Sequence, residues 1–340
     1  MKTPLVKPKR FDYAQAIDSE LLKILACPSC KSEIKLKDEE LVCVNDKCKL
    51  RFPIIDGIPV MLPTQLSEDL ELTMEKWDEE YKNYYNLEIN VLNDPELKYA
   101  HAYVKKYMKI KNGLFLEAGC GLSKLSCLLA KEGVKTVGVD LSLTGLRIGK
   151  KLFERKHLDG FFVCGNILMM PFKDNTFSFM CAYGVIEHFK NTSQAVNEIH
   201  RSLAPNGFVT ATVPCVSLSI PYKMLRWGNI PDISLVRSIV ELIEIRILEG
   251  RRMRFGYEKS FTPWRIRRIF ENSGFKNIEI GLFETYYPLS PLKSVLLRKL
   301  ITRIANTKLF WPMIYVNGVK NMKILRIANG NRLTDKIVES

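Results

Sequence analysis

The chain has 340 residues, of which 46% are hydrophobic and 26% charged. This composition excludes a disordered chain and leaves room for one large α/β domain with a small one beside it. The net charge of +14 says nothing about fold, but it favours anionic partners such as RNA, DNA or an acidic membrane surface.

The first ten residues, Met1 to Arg10, contain no apolar core of the kind a secretory leader needs. No run of about 18 apolar residues occurs that would span a bilayer. A cytoplasmic location is therefore expected, and in a reducing compartment the nine cysteines are thiols or metal ligands and not a disulfide framework. Composition divides the chain into four stretches: a cysteine-bearing domain over 1–64, a charged and aromatic helical linker or cap over 65–110, an alternating α/β domain over 111–287, and a basic extension over 288–340.

In the first stretch, Cys27 and Cys30 are followed after twelve residues by Cys43, and after four more by Cys48. Two short pairs on tight turns, separated by a hairpin-length spacer over Glu33–Val44, match a tetrahedral four-cysteine Zn2+ site with Cys27, Cys30, Cys43 and Cys48 as ligands. Leu21–Cys30, together with Phe52-Pro53-Ile54-Ile55-Asp56-Gly57-Ile58-Pro59-Val60-Met61-Leu62, resembles the small zinc-ribbon family that includes the activator subunit of tRNA, rRNA and release-factor methyltransferases. The resemblance covers about residues 18–63. It implies a stabilising or docking module whose structural zinc supplies folding energy that so small a core lacks.

The second stretch reads as two helices, Met74–Tyr85 and Glu96–Met108. In the third, strands over Leu114–Glu117, Thr136–Val139, Phe161–Val163 and Phe177–Tyr183 alternate with helices over Leu122–Lys131, Leu143–Lys156 and Ser193–Leu203. An Asn206–Gly207 turn leads into strand Phe208–Val213, and helix Pro263–Ser273 precedes strand Phe275–Leu282. Such alternation belongs to a parallel sheet covered by helices.

Leu114-Phe115-Leu116-Glu117-Ala118-Gly119-Cys120-Gly121 is an apolar strand running into a glycine turn. The glycines permit a sharp bend and a close ligand approach. Lys124 stands where a dinucleotide fingerprint needs its third glycine, which disfavours a nicotinamide enzyme. Asp140 ends the second strand nineteen residues after Gly121, where a carboxylate can accept from both ribose hydroxyls. Asn166 and Ile167 follow the third strand; Asn166 can bond an adenine edge, with Leu141 and Ile167 sandwiching the ring. Tyr183-Gly184-Val185-Ile186-Glu187-His188 closes the fourth strand.

This ordered set resembles the class I S-adenosylmethionine-dependent methyltransferases, in particular the subgroup with quinone-biosynthesis C-methyltransferases. The resemblance covers about residues 112–214 and, more weakly, 261–282. It implies a Rossmann-like seven-stranded sheet with helices on both faces, and S-adenosyl-L-methionine as cofactor. By that resemblance Glu117 and the Ala118, Gly119 and Gly121 backbone hold the methionine part, Asp140 the ribose, and Asn166 with Ile167 the adenine, with Leu141 against the ring and Tyr183 beside them. Many relatives carry Asp where this chain has Asn166.

On the acceptor side, Glu187 and His188 stand at the mouth of the site, where His188 acts as a general base or only caps the next helix. Residues 221–257 form an insertion of the kind that makes substrate lids, with Tyr222, Arg226, Trp227, a helix over Ser234–Leu248 read mostly as core, and Arg251, Arg252 and Arg254. Leu292–Ala305 is amphipathic, with Leu296, Leu297, Leu300, Ile301 and Ile304 on one face and Arg298, Lys299 and Arg303 on the other. It docks on the sheet, lies on a membrane surface as a peripheral contact, or covers the substrate; docking is the default.

The expected function is methyl transfer to a small-molecule or lipid-like acceptor, or to RNA. The rival is a non-catalytic scaffold that binds the cofactor and recruits a partner through its ribbon.

Overall fold

The computed structural model describes residues 17–62, 67–82, 94–108, 113–253, 256–283, 294–305, 307–321, 324–329 and 332–337. The basic N-terminal run, the end of the expected helix at Tyr85, Arg254 and Lys293 lie outside the described residues.

Helix α1 (Ser19–Ile24) starts on Asp18, whose Oδ1 accepts from the Glu20 N–H. The ribbon strands β1 (Ile34–Lys37), β2 (Glu40–Cys43), β3 (Arg51–Ile55) and β4 (Ile58–Met61) then meander antiparallel. Helices α2 (Glu68–Lys82) and α3 (Pro95–Tyr107) follow; α3 is begun by Asp94 with Pro95 in its first turn. Helix α2 starts six residues before the Met74 expected from sequence.

The alternating core comprises β5 (Leu114–Ala118), α4 (Lys124–Ala130), β6 (Lys135–Asp140), α5 (Leu143–Arg155), β7 (Phe161–Gly165), β8 (Phe177–Tyr183), α6 (Thr192–Ser202) and β9 (Leu203–Pro214). Its strands pair in parallel and are buried on both faces, so they read as continuous apolar runs. β9 is joined to β8 at Leu203, but its continuous pairing starts at Phe208; between them the register jumps through the expected Asn206–Gly207 turn, where Asn206, at φ +61°, donates its N–H to the Lys320 carbonyl at 2.7 Å.

Between β9 and the next long helix, spanning the insertion expected at 221–257, lie α7 (Ile220–Trp227), β10 (Ile230–Pro231), α8 (Ser234–Glu241) running into a π-helical turn over Leu242–Ile247, and β11 (Lys259–Ser260). Then come α9 (Pro263–Asn272), β12 (Lys276–Phe283), α10 (Val295–Ala305), β13 (Met313–Val319), and a hairpin of β14 (Ile324–Asn329) and β15 (Arg332–Ile337).

The sheet order β7-β6-β5-β8-β9-β13-β12, with β13 antiparallel to both neighbours, is the Rossmann-like methyltransferase arrangement. It does not stop at seven strands. β4 pairs in parallel with β7 through Val60–Cys164 and Met61–Gly165, so the ribbon continues the same sheet to eleven strands. The ribbon is docked twice more. Leu25 bridges Phe172, and Lys31 Nζ donates to the Met170 carbonyl at 3.0 Å and to Glu198 at 2.8 Å.

Two expectations about packing are overturned. The Ser234–Leu248 helix is not mostly core: Leu235, Ile239, Leu242 and Ile247 face outward, and Val240 and Glu244 are its buried residues. Nor does α10 dock on the sheet by its apolar face, since Leu296, Leu297, Leu300 and Ile304 are exposed. No helix among the described residues is long and apolar enough to cross a membrane.

Candidate active site and zinc centre

Each cysteine pair sits on a knuckle closed by its own backbone. Cys27 donates its N–H to Ser32 O and accepts from Lys31 N–H; Cys48 donates to Asn45 O. Lys31 and Lys49, each just after the second cysteine of its pair, take the left-handed turn at φ +59° and +50°. All four sulfurs lie within 4.8 Å of one another, with Cys27–Cys48 at 3.7 Å and Cys30–Cys43 at 3.4 Å. A Zn–S bond near 2.3 Å requires tetrahedral S···S edges of about 3.8 Å. A disulfide would need about 2.05 Å. Burial raises the Cys27 and Cys43 thiols, while hydrogen bonds from Ser32 lower Cys30 to about 6; a cation among the four sulfurs would favour the thiolate form of each. The residues fit a structural zinc.

The second site is a cavity of about 460 Å³ at the carboxyl ends of β5, β6 and β8. Gly119 is at φ +68° and Gly121 at +47°. A Cβ on Gly119 would meet the Val185 methyls at 2.5 Å, and one on Gly121 would meet Tyr81 Oη at 2.5 Å. No side chain other than hydrogen fits that turn without displacement.

Glu117 and Asp140 flank the turn. Glu117 Oε2 accepts from Ser126 N at 2.8 Å and Ser126 Oγ at 2.5 Å. Asp140 accepts from Gly121 N through one oxygen and Ser142 N through the other, both at 2.8 Å. Burial pushes Glu117 up to about 7 and Asp140 up to about 6, against these hydrogen bonds. Glu80, Asp94, Glu96, Glu117 and Asp140 all line the cavity, against Lys124 and the neutral His188 among those described. A strongly basic chain thus encloses an acidic pocket. Tyr183 also lines it, and its buried hydroxyl has no partner among the described residues.

His188 closes one end. Its Nδ1 lies 2.8 Å from the Tyr257 carbonyl, which only accepts, so Nδ1 carries the proton and Nε2 keeps its lone pair. Burial depresses its pKa to about 4, so the ring is neutral.

The cavity thus gathers Glu117, Gly119, Gly121, Asp140, Leu141, Ile167, Tyr183 and His188. Its wall does not include Ala118, Asn166 or Glu187. Asn166 instead accepts from Leu168 N through Oδ1 at 2.9 Å, capping the 3-10 turn Ile167–Met169. Glu187 is buried, and desolvation, helped by the neighbouring Glu258 charge, raises its pKa well above the usual carboxylate range.

Sequence reasoning missed Trp77 and Tyr81, which α2 lays over the opening. Tyr81 covers Gly121 and Gly145, Asp78 accepts from the Ser142 hydroxyl, and Trp77 meets His188 edge-on. The available signal was the i, i+4 aromatic pair within an acidic helix.

Two family models match: "Methyltransferase domain" over residues 116–211 and "Trm112p-like protein" over residues 18–57. An uncharacterized protein of Methanocaldococcus jannaschii is 35% identical over 140 residues, 41% of this chain. The match spans 58% of that relative's own length. A UPF0434 protein of Pseudoalteromonas translucida is 36% identical over 63 residues, 18% of this chain and 97% of its own. Among solved structures, geranyl diphosphate C-methyltransferase from Streptomyces coelicolor superimposes at TM-score 0.52 with 12% identity, covering 76% of this chain and all of that one, which shows the shared fold. Strand order, glycine turn, four-cysteine cluster and both family matches agree: the chain carries a class I S-adenosylmethionine-dependent methyltransferase domain behind an N-terminal Trm112p-like zinc ribbon.

Proposed function

We propose that the chain transfers the methyl group of S-adenosylmethionine to a lipid-like or other small acceptor without a polyanionic backbone, taken up beneath the lid. The acid-rich cavity inside a basic molecule carries this reading. It suits a cationic cofactor and resists a string of phosphates, which disfavours RNA as the acceptor.

Bound there, the cofactor supplies an electrophilic methyl on a sulfonium sulfur. Glu117 and the Gly119–Gly121 backbone hold its amino-acid end, and Asp140 the ribose hydroxyls. Leu141 and Ile167 would enclose the adenine. α2 excludes water through Trp77 and Tyr81. His188 Nε2 takes the acceptor proton when the acceptor must lose one.

Supplying methyl-labelled cofactor to separated lipid, small-molecule and RNA fractions of an extract tests the reading. Label in the lipid or small-molecule fraction supports it. Label in RNA moves the acceptor to a nucleic acid, and cofactor binding without turnover on any fraction favours the scaffold alternative.

Two binding results are expected. Asp140→Ala should weaken the cofactor by about 1.5–3 kcal/mol in calorimetry, the range for hydrogen bonds to a charged group; unchanged affinity removes Asp140 from the ribose. The second concerns pH. Glu117 in the ligand-free protein protonates near 7, and a cationic ligand favours its ionised form. Affinity is then full well above pH 7 and falls as pH drops toward 5, with Glu117 contributing at most about tenfold per unit and Asp140, raised to about 6, adding to the slope at its lower end. Glu117→Gln should lower affinity and flatten that slope; an unaltered slope assigns it to another group.

A further inference from the structure

Three helices at one end of the molecule carry their apolar side chains outward. On α7, Leu218, Tyr222 and Leu225 stand at i, i+4 and i+7 just before and along the helix, and Leu225 is 70% exposed, while Lys223 is turned in. On α8 and its π-helical continuation the outward stripe is Leu235 (80% exposed), Ile239 and Ile247. The inward side holds Glu244, bonded to Arg252 at 2.6 Å. On α10 the stripe is Leu296, Leu300 and Ile304.

These helices are neighbours. Met224 of α7 and Val240 of α8 pack in one small core with Ile230, Met253 and Tyr257. The segment leaving α10 is tied to the start of α7, where Leu218 N donates to Leu309 O at 3.1 Å.

The exposed charges around the stripes are mostly basic, with Glu249, paired with Arg251 at 3.5 Å, as an exposed acid beside them. Arg226, Arg246, Lys299, Arg303 and Lys308 are exposed. Lys299 and Arg303 fall on one flank of the α10 stripe by helical geometry. The acids of α8 and its continuation are engaged elsewhere: Glu241 accepts from the Tyr257 hydroxyl at 2.6 Å, and Glu244 is buried.

We propose that α7, α8 and α10 form a surface that docks on an anionic lipid bilayer, apolar side chains entering the headgroup boundary and the basic residues meeting lipid phosphates. Side chains of this mixed character need a partner that is apolar and anionic at once. A second copy packed two-fold on this face would set its cations against their own images. A nucleic acid would meet the cations and leave the leucines in water. The lid that carries this surface also supplies the Tyr257 carbonyl holding His188, so a docked molecule would receive its acceptor from the lipid phase. That last step rests on the methyl-transfer reading; the docking does not.

The test is sedimentation of the full chain with phosphatidylcholine vesicles, with and without phosphatidylglycerol. Binding is expected to be at least about tenfold stronger with the anionic lipid and to weaken as salt is raised. The pairs Leu235→Asp with Ile239→Asp, and Lys299→Glu with Arg303→Glu, should each reduce vesicle binding by about tenfold or more while cofactor affinity, measured in solution, is unchanged. Three outcomes overturn the proposal: no binding to either vesicle, a concentration-dependent dimer dissolved by the Leu235 pair, or RNA binding weakened by the Lys299 pair and indifferent to the Leu235 pair. Failure of cofactor turnover with vesicle binding retained would strike the methyl-transfer reading alone.

Discussion

Replacing Cys43 by Ser is expected to remove the single zinc and to destabilise far more than the ribbon. Structural zinc in small domains is worth about 10–16 kcal/mol in apparent binding free energy at neutral pH. The described ribbon, residues 17–62, has too small a core to replace that, so it should unfold without the metal. Its unfolding removes β4 from β7, the Leu25–Phe172 bridge and the Lys31 contacts to Met170 and Glu198. All but the Glu198 contact, which is to α6, brace residues 164–173, and Ile167 of that segment lines the cofactor cavity. Metal analysis should fall from about one equivalent to none, the melting temperature should drop, and cofactor affinity should weaken with them. Zinc lost with melting and cofactor affinity unchanged would show that the two domains are energetically independent.

His188→Asn is expected to lower turnover by about 10²–10⁴-fold while leaving cofactor affinity alone. The substitution is chosen for its geometry. An asparagine amide can donate to the Tyr257 carbonyl as Nδ1 does, so the lid stays tied, but it offers no basic lone pair in place of Nε2. With the wild-type ring protonating only near 4, saturated turnover should be flat from about pH 8 to 5 and fall below that, since the base is lost as it gains its proton. Turnover retained in His188→Asn means that the acceptor attacks without a base and that the ring only anchors the lid.

Much of the candidate site was legible because its residues close successive parallel strands. Glu117 with Gly119, and then Asp140, end β5 and β6, and parallel pairing brings those strand ends together. The cysteine pairs were legible because each knuckle is local. What stayed hidden depends on orientation or on distant pairing. Glu187 and His188 are adjacent in sequence, but in the 3-10 turn Ile186–His188 they diverge, and only His188 reaches the cavity wall. Tyr81 sits 40 residues before Gly121, on a helix whose docking no local pattern announces. The apolar stripe of Ser234–Leu248 was visible, but a stripe gives a face and not its direction, and here it points to solvent. Nothing in Val60 or Met61 marks β7 as their partner, since strand pairing is settled by the whole sheet.

Covalent linkage gives the shared sheet one more consequence. A ribbon supplied as a separate subunit would engage according to its abundance, and its occupancy would rise and fall with expression. Joined to the catalytic domain, its β4 meets β7 at an effective concentration in the millimolar range, so the contact is saturated in every molecule. Stoichiometry is fixed at one to one and cannot be tuned by making less of either part. What can still vary is the metal: if loss of zinc unfolds the ribbon and weakens the cofactor as predicted above, the active fraction would follow zinc supply rather than partner supply.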